Sequence, residues 1–156
     1  MPDGSIANKT QAGVTTLDAL IIGAGFSGLY QLLSLRDKLG LKAKVVESGD
    51  GVGGTWYWNR YPGARCDSES HSYSYYFDKE LLEEWQWSER YPGHAEVVRY
   101  LNYAADKLDL KRDIHFNSKV ISAHYSQSEN RWIVRTEDGR EFVCTYLITA
   151  VGCLSS

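Results

Sequence analysis

The sequence predicts an α/β fold built on a βαβ unit, and three observations carry that prediction. An apolar run from Leu17 to Ile22, broken only by Asp18, flows into Gly23-Ala24-Gly25-Phe26-Ser27-Gly28, which reads as a buried strand ending in a glycine turn. Leu29, Leu32, Leu33 and Leu35 then follow at near-helical spacing, with Arg36, Asp37 and Lys38 closing the segment before Gly40, a C-terminal cap. Lys44-Val45-Val46-Glu47 resumes as a second buried strand. Strand, helix and strand close a right-handed crossover, so the two strands are expected to be parallel.

The remaining elements follow in order. Ser48 to Phe77 is irregular and aromatic, with Gly49, Gly51, Gly53 and Gly54 ahead of Trp56, Tyr57, Trp58, Tyr61, Tyr73, Tyr75 and Tyr76. A loop of that length inside a compact domain is usually functional. Lys79 to Trp87 is acidic and reads as a short surface helix. From His94 to Leu108, Val97, Leu101, Ala104, Ala105 and Leu108 form the stripe of an amphipathic helix. Val120–Tyr125, Arg131–Thr136 and Glu141–Thr145 alternate in the strand manner, joined by Ser128-Glu129-Asn130 and Asp138-Gly139. These predict a three-stranded antiparallel meander. Tyr146 to Val151 is expected to be a further buried strand, returning parallel to the first and running into Gly152.

Composition narrows the function. At 156 residues, 43% hydrophobic and 24% charged, the chain is the size and type of one globular domain. Its net charge of −3 supplies no broad basic field, so neither nucleic acid nor a membrane surface is an expected partner. No apolar run approaches the roughly 20 residues of a membrane-spanning helix. Cys66, Cys144 and Cys153 form no C-x-x-C pair, which argues against a disulfide framework or structural zinc and for reduced thiols in the cytoplasm. His71, His94, His115 and His124 show no metal-ligand spacing, and no metal site is expected. Residues 1–16 are polar and Gly/Ser/Thr/Asn-rich, and read as a disordered leader to a domain over 17–156.

The glycine motif gains meaning from its context. G-x-G-x-x-G after a strand, opening a helix and followed about twenty residues on by an acid, is the Rossmann-type dinucleotide fingerprint. Gly23 makes the turn, Gly25 admits a pyrophosphate to the backbone, and Gly28 allows close helix–strand packing. The helix N-terminus offers unpaired N–H groups and positive partial charge. Glu47 stands where a ribose diol would donate to it, which favours the free 2′-hydroxyl of FAD or NAD over a 2′-phosphate. The meander then separates the two. NAD domains continue βαβ after βαβ, so the order here fits an FAD domain. Trp56, Tyr57, Trp58 and Tyr73 can stack on an isoalloxazine and exclude water, or simply fill a core. Asp67 among them reads as a buried carboxylate paired with an arginine, serving function or structure alike. Cys66 reads as inert packing. Glu80, Glu83, Glu84 and Glu89 read as a solvated face.

The fingerprint, Glu47 and the run Gly51-Val52-Gly53-Gly54-Thr55-Trp56-Tyr57-Trp58-Asn59-Arg60-Tyr61-Pro62-Gly63-Ala64-Arg65-Cys66-Asp67 resemble the N-terminal FAD-binding segment of the Baeyer-Villiger monooxygenases, a family of flavin-dependent class B monooxygenases. The resemblance extends from Leu17 to Ser155, and Ala150 to Ser155 is similar to the family's second FAD-contacting strand end, at Gly152. It implies an enzyme that uses FAD, NADPH and O2 to convert ketones to esters or lactones through a C4a-peroxyflavin. By match to the motif, Ser27, Glu47, Thr55, Trp56, Tyr57, Trp58, Asp67, Tyr73 and Val120 would contact FAD. Arg65, Cys66 and Asp67 would lie where the nicotinamide meets the flavin, with Asp67 the local catalytic helper of an arginine.

Family members carry further parts that this sequence lacks: a second glycine fingerprint, F-x-G-x-x-x-H-x-x-x-W, the catalytic arginine and the rest of the FAD domain. The expectation is therefore an incomplete domain, inactive alone, whose partners are a ketone, O2 and the remaining domains of a parent chain. A nitrogen- or sulfur-oxygenating relative, a stand-alone FAD-binding module and a truncated non-binding product are the alternatives. Ser48, in place of a small apolar residue, and Tyr76, in place of a serine, are small departures from the family pattern.

Overall fold

The computed structural model describes residues 13–154. Strand β1 (Thr15–Ile22) runs into the glycine turn and helix α1 (Phe26–Leu33), which buries Gly28, Leu29, Leu32 and Leu33. One wider π-turn, Ser34–Lys38, extends the helix, and Gly40 at φ +65° ends the segment. Strand β2 (Ala43–Val46) pairs parallel with β1, setting Ile21 opposite Val45. The predicted βαβ unit is present. Strand β1 begins two residues earlier than expected, because Thr15 and Thr16 pair with Phe142 and Val143. Of the predicted leader, residues 1–12 lie outside the described residues.

The aromatic loop holds a single helical turn, α2 (Thr55–Trp58), and leads to α3 (Lys79–Glu84), whose first turn is capped by Asp78 accepting from the Leu81 N–H at 3.0 Å. Helix α4 (His94–Lys107) buries Val97, Leu101, Ala104 and Ala105 of the expected stripe and adds Tyr100, while Leu108, its C-cap, is half-buried. A 3₁₀ turn at Lys111–Asp113 feeds β3 (Ile114–His115), which pairs parallel with β2. Two residues are too short to carry an alternating pattern, so this strand has no sequence signature.

Strands β4 (Val120–Ser126), β5 (Arg131–Thr136) and β6 (Glu141–Thr149) complete one six-stranded sheet in the order β3-β2-β1-β6-β5-β4. The third meander strand and the returning strand, expected as two, are one. Glu141 to Cys144 pair antiparallel with β5, while Phe142 to Thr149 pair parallel with β1. No glycine or proline interrupts Thr145-Tyr146, so the chain stays extended and only its neighbours change. Tyr146 in this stretch is 58% exposed, not buried.

Alternation along β1 and β2 divides the core. Ala19, Ile21 and Val45 pack with Leu29, Val97 and Leu101 of the helices. Leu20 and Val46 turn to the opposite face and meet Val134, Phe142 and Cys144 of the meander.

Candidate functional site

Strand β1 has β2 on one side and β6 on the other, so the chain leaves the sheet in opposite directions at its C-terminal edge. Such a switch point opens a crevice. Here Ile22 to Gly25, Val46 to Ser48 and Ala150-Val151 line a cleft of about 390 Å3. A second cavity of about 300 Å3 continues it, sharing Gly25, Gly54, Ala150 and Val151.

The glycine turn forms the floor. The Gly23 N–H donates to Val46 O at 2.9 Å, and the Gly53 N–H donates to Ala24 O at 3.0 Å, tying the turn to β2 and to the aromatic loop. Two close approaches exclude side chains. A Cβ on Gly28 would lie 1.9 Å from Gly23 O, and one on Gly54, itself at φ +55°, would lie 2.9 Å from Gly25 Cα. The turn thus leaves bare backbone facing the cleft. No side chain caps the start of α1 and its first turn holds no acid, so its N–H groups remain available to an anion.

Glu47 is 4% exposed and holds this turn to the start of the aromatic loop. Its Oε2 accepts from the Ala24 N–H at 2.8 Å, while Oε1 accepts from the Gly49 N–H at 2.8 Å and from the Ser48 hydroxyl at 3.2 Å. A carboxylate has about four lone-pair sites, which leaves room for a hydroxyl donor from the cleft. Ser118, Lys119 and Val120 continue the wall beside it.

The second cavity is aromatic. Trp56 Nε1 donates to the Tyr73 hydroxyl at 3.0 Å, with the rings 5.9 Å apart and at 87°. Phe26 meets Tyr73 edge-on at 4.9 Å. Burial pushes the Tyr73 phenol up, and the nearby Cys66, Asp67 and Cys153 push it the same way against the Trp56 donor. The phenol therefore keeps its proton at neutral pH, and its O–H is free to donate while its oxygen accepts from Trp56.

Of the residues expected at a cofactor, Gly23, Gly25, Glu47, Gly54, Trp58 and Val120 line the first cavity. Ser27, Thr55, Trp56, Tyr73 and Gly152 join Gly25 and Gly54 in the second. Five others line neither. Gly28 packs behind the turn. The Tyr57 ring lies over Gly49 and Gly51, with its hydroxyl on Asp50, so it braces the loop. Arg65 turns outward to Glu89 and to the Tyr91 carbonyl. Cys66 is buried, its N–H donating to Pro92 O at 2.9 Å. Asp67, read from sequence as a buried carboxylate paired with an arginine, is instead exposed, and among the described residues it forms no ion pair. Extended backbone beside the Arg65–Gly93 bridge buries Ala64 and Cys66 and turns Arg65 and Asp67 outward.

Ser118 and Lys119 escaped the sequence reading because no local motif marks them. The β2–β3 pairing brings them in: the Ser118 N–H donates to Glu47 O at 2.8 Å and the Asn117 N–H to Gly49 O at 2.9 Å. Ala150-Val151, in contrast, is legible, since a strand ending in a glycine repeats the pattern of the first turn. Among the described residues no three His, Cys, Asp or Glu side chains are grouped to hold a metal ion, and no helix is long and apolar enough to cross a membrane.

A βαβ unit with bare glycine backbone, a committed acid at the end of β2 and a cleft at the switch point define a Rossmann-like dinucleotide-binding domain. The family model for the NAD(P)-binding Rossmann-like domain matches residues 21–84. Over 91% of its length the chain is 51% identical to acetone monooxygenase (methyl acetate-forming) of Gordonia sp. (strain TY-5), covering 26% of that protein. It is 48% identical over 89% of its length to a Baeyer-Villiger monooxygenase of Pseudooceanicola batsensis, and 45% identical over 90% to the phenazine N-monooxygenase of Lysobacter antibioticus, covering 26% of each. The crystal structure of cyclohexanone monooxygenase from Rhodococcus sp. Phi1 bound to NADP+ superposes with a TM-score of 0.89 at 43% identity, over 92% of this chain and 27% of that one. The chain is similar over nearly its whole length to part of these monooxygenases, and spans about a quarter of the length of the curated relatives it matches.

Proposed function

We propose that the chain binds FAD in the two-part cleft and serves an NADPH- and O2-dependent monooxygenase that converts ketones to esters or lactones. The observation that carries this reading is the cleft itself: bare glycine backbone and an uncapped helix start between the Glu47 carboxylate at one end and the Trp56–Tyr73 pair at the other. That order matches the adenosine, pyrophosphate and isoalloxazine of one extended dinucleotide.

The flavin supplies the redox chemistry and activates O2; the residues supply position and environment. Glu47 accepts from the ribose hydroxyls while its other contacts hold it still. The turn at Gly23 to Gly28 and the N–H groups of Phe26 and Ser27 receive the pyrophosphate. Trp56, Thr55 and Tyr73 would wall the isoalloxazine and keep water from it, with the protonated Tyr73 phenol offering a donor there. Arg65, Cys66 and Asp67 lie on the segment that approaches the nicotinamide side. The exposed Asp67 pairs there with an arginine from another part of the parent protein and orients it. The free cysteines are consistent with a cytoplasmic enzyme.

The similarity to the phenazine N-monooxygenase favours a second reading, in which the same cleft serves oxygenation of a ring nitrogen. Both are tested by expressing the full-length protein, measuring bound flavin, and following NADPH oxidation with small ketones and with N-heteroaromatics. Ester formation with stoichiometric FAD is expected. An N-oxide as sole product replaces the ketone reading, and absence of bound FAD removes both.

A further inference from the structure

The turn between β5 and β6 reaches across the fold to the cleft. Asp138 sits beside Gly139, where an aspartate needs no further explanation than the turn. Its Oδ1 does local work, accepting from the Thr136 hydroxyl at 2.5 Å. Its Oδ2, however, meets the Ser118 hydroxyl, twenty residues earlier in sequence, at 2.9 Å. Arg140 Nη1 donates to the same Ser118 oxygen at 2.6 Å and also to Asp138. The single Ser118 proton goes to Asp138 or to the Phe116 carbonyl at 3.0 Å, so the hydroxyl is held from three sides. Backbone bonds double the link, with the Glu137 N–H on Lys119 O at 2.8 Å and the Ser118 N–H on Glu47 O at 2.8 Å.

The inner half of this network is buried, with Ser118 1% exposed and Thr136 2%, while the side chains of Asp138 and Arg140 cover it from the surface at 27% and 43% exposed. Burial opposes ionisation of Asp138, yet the Thr136 and Ser118 hydroxyls and Arg140 together hold its carboxyl below the usual range. The charged group facing it is Arg140, and the two act together on the nearby His115 ring. What the network fixes is the Ser118-Lys119-Val120 segment, the part of the cleft wall that adjoins Glu47. A turn that needed only its own stability has no use for a bond to that wall.

We propose that Asp138 and Arg140 are positioning residues for the adenosine end of the cofactor, fixing the Ser118–Val120 wall in place beside Glu47 through the Ser118 hydroxyl. The inference rests on the FAD reading above. It places a determinant of FAD affinity on the meander, outside the glycine turn and the aromatic loop.

The test uses the full-length protein, freed of flavin, with Asp138→Asn and Ser118→Ala. Asn keeps the turn preference but puts an amide where Oδ2 accepts; Ala removes the shared hydroxyl. Kd is measured for FAD by fluorescence quenching and for ADP by competition, together with the apo-protein Tm and the visible spectrum of the saturated flavin. The expected result is that both variants raise Kd for FAD and for ADP by the same factor, about tenfold, the scale of one lost hydrogen bond to a charged group. The flavin spectrum stays unchanged and Tm stays within about 4 °C. Unchanged affinities, a loss for FAD without one for ADP, or an altered flavin spectrum each overturn the assignment. A wild-type protein that binds no FAD overturns the FAD reading itself, which separates the two failures.

Discussion

Glu47 faces three donors from its own chain, two of them backbone N–H groups at 2.8 Å. A side chain so placed builds the site as well as serving it. Glu47→Gln turns one acceptor into a donor and sets an amide against the N–H of Ala24 or Gly49. The buried clash is expected to cost about 1–3 kcal/mol of unfolding free energy, read by urea denaturation of the apo-protein. FAD affinity should fall with it; a variant as stable as wild type would show that the two N–H groups find other partners. The residue scale is also where sequence reasoning went furthest. Glu47 and the glycines declare themselves because no other residue types meet those demands on backbone and charge.

At the scale of elements, the aromatic loop is held by α4. The Tyr100 hydroxyl accepts the Tyr75 N–H at 2.8 Å, and the Tyr75 hydroxyl donates to Phe26 O at 2.7 Å, the first residue of α1. Loop, α4 and α1 are thereby coupled through two phenols. Tyr100→Phe strands a buried N–H and is expected to destabilise by about 1–3 kcal/mol, seen as a lower denaturation midpoint with secondary structure retained in circular dichroism. Strand β3 makes a pH prediction. Burial, with Arg140 and Lys44 nearby, pushes His115 below its ordinary value, and its ring packs on Phe142 at 5.6 Å. The unfolded chain then binds the proton more readily than the folded one. Stability should be level above about pH 7 and decline as pH falls through the unfolded value of about 6.5. His115→Gln should flatten that decline between pH 7 and 5.5; an identical slope would assign the titration elsewhere.

At the scale of the whole molecule, the sheet carries apolar surface away from the cleft. Leu39 is 65% exposed and Tyr146 58%, beside an open groove that also involves Leu41 and Trp132. Surfaces of this kind favour association. The 156-residue chain alone is expected to self-associate at micromolar concentration, and Leu39→Glu with Tyr146→Glu should raise its monomer fraction in light scattering behind a sizing column. A monodisperse wild-type monomer would contradict this.

The sequence alone determined the βαβ unit, the glycine turn, the acid that closes it and the family resemblance of the G-G-T-W-Y-W-N-R-Y-P-G-A-R-C-D run. Each of these is a short-range demand, on φ, on close approach or on period, and so is written in neighbouring residues. Tertiary structure decided the rest. It merged two expected strands into β6, because strand identity there depends on which neighbour pairs and not on the chain itself. It turned Tyr57 onto the loop and Asp67 to the surface, although both stand in the same motif as Trp56. It brought Ser118 and Lys119 to the cleft, and Asp138 onto Ser118, across long stretches of sequence. Contacts of that range are set by sheet order and crossover direction, and no local pattern encodes them.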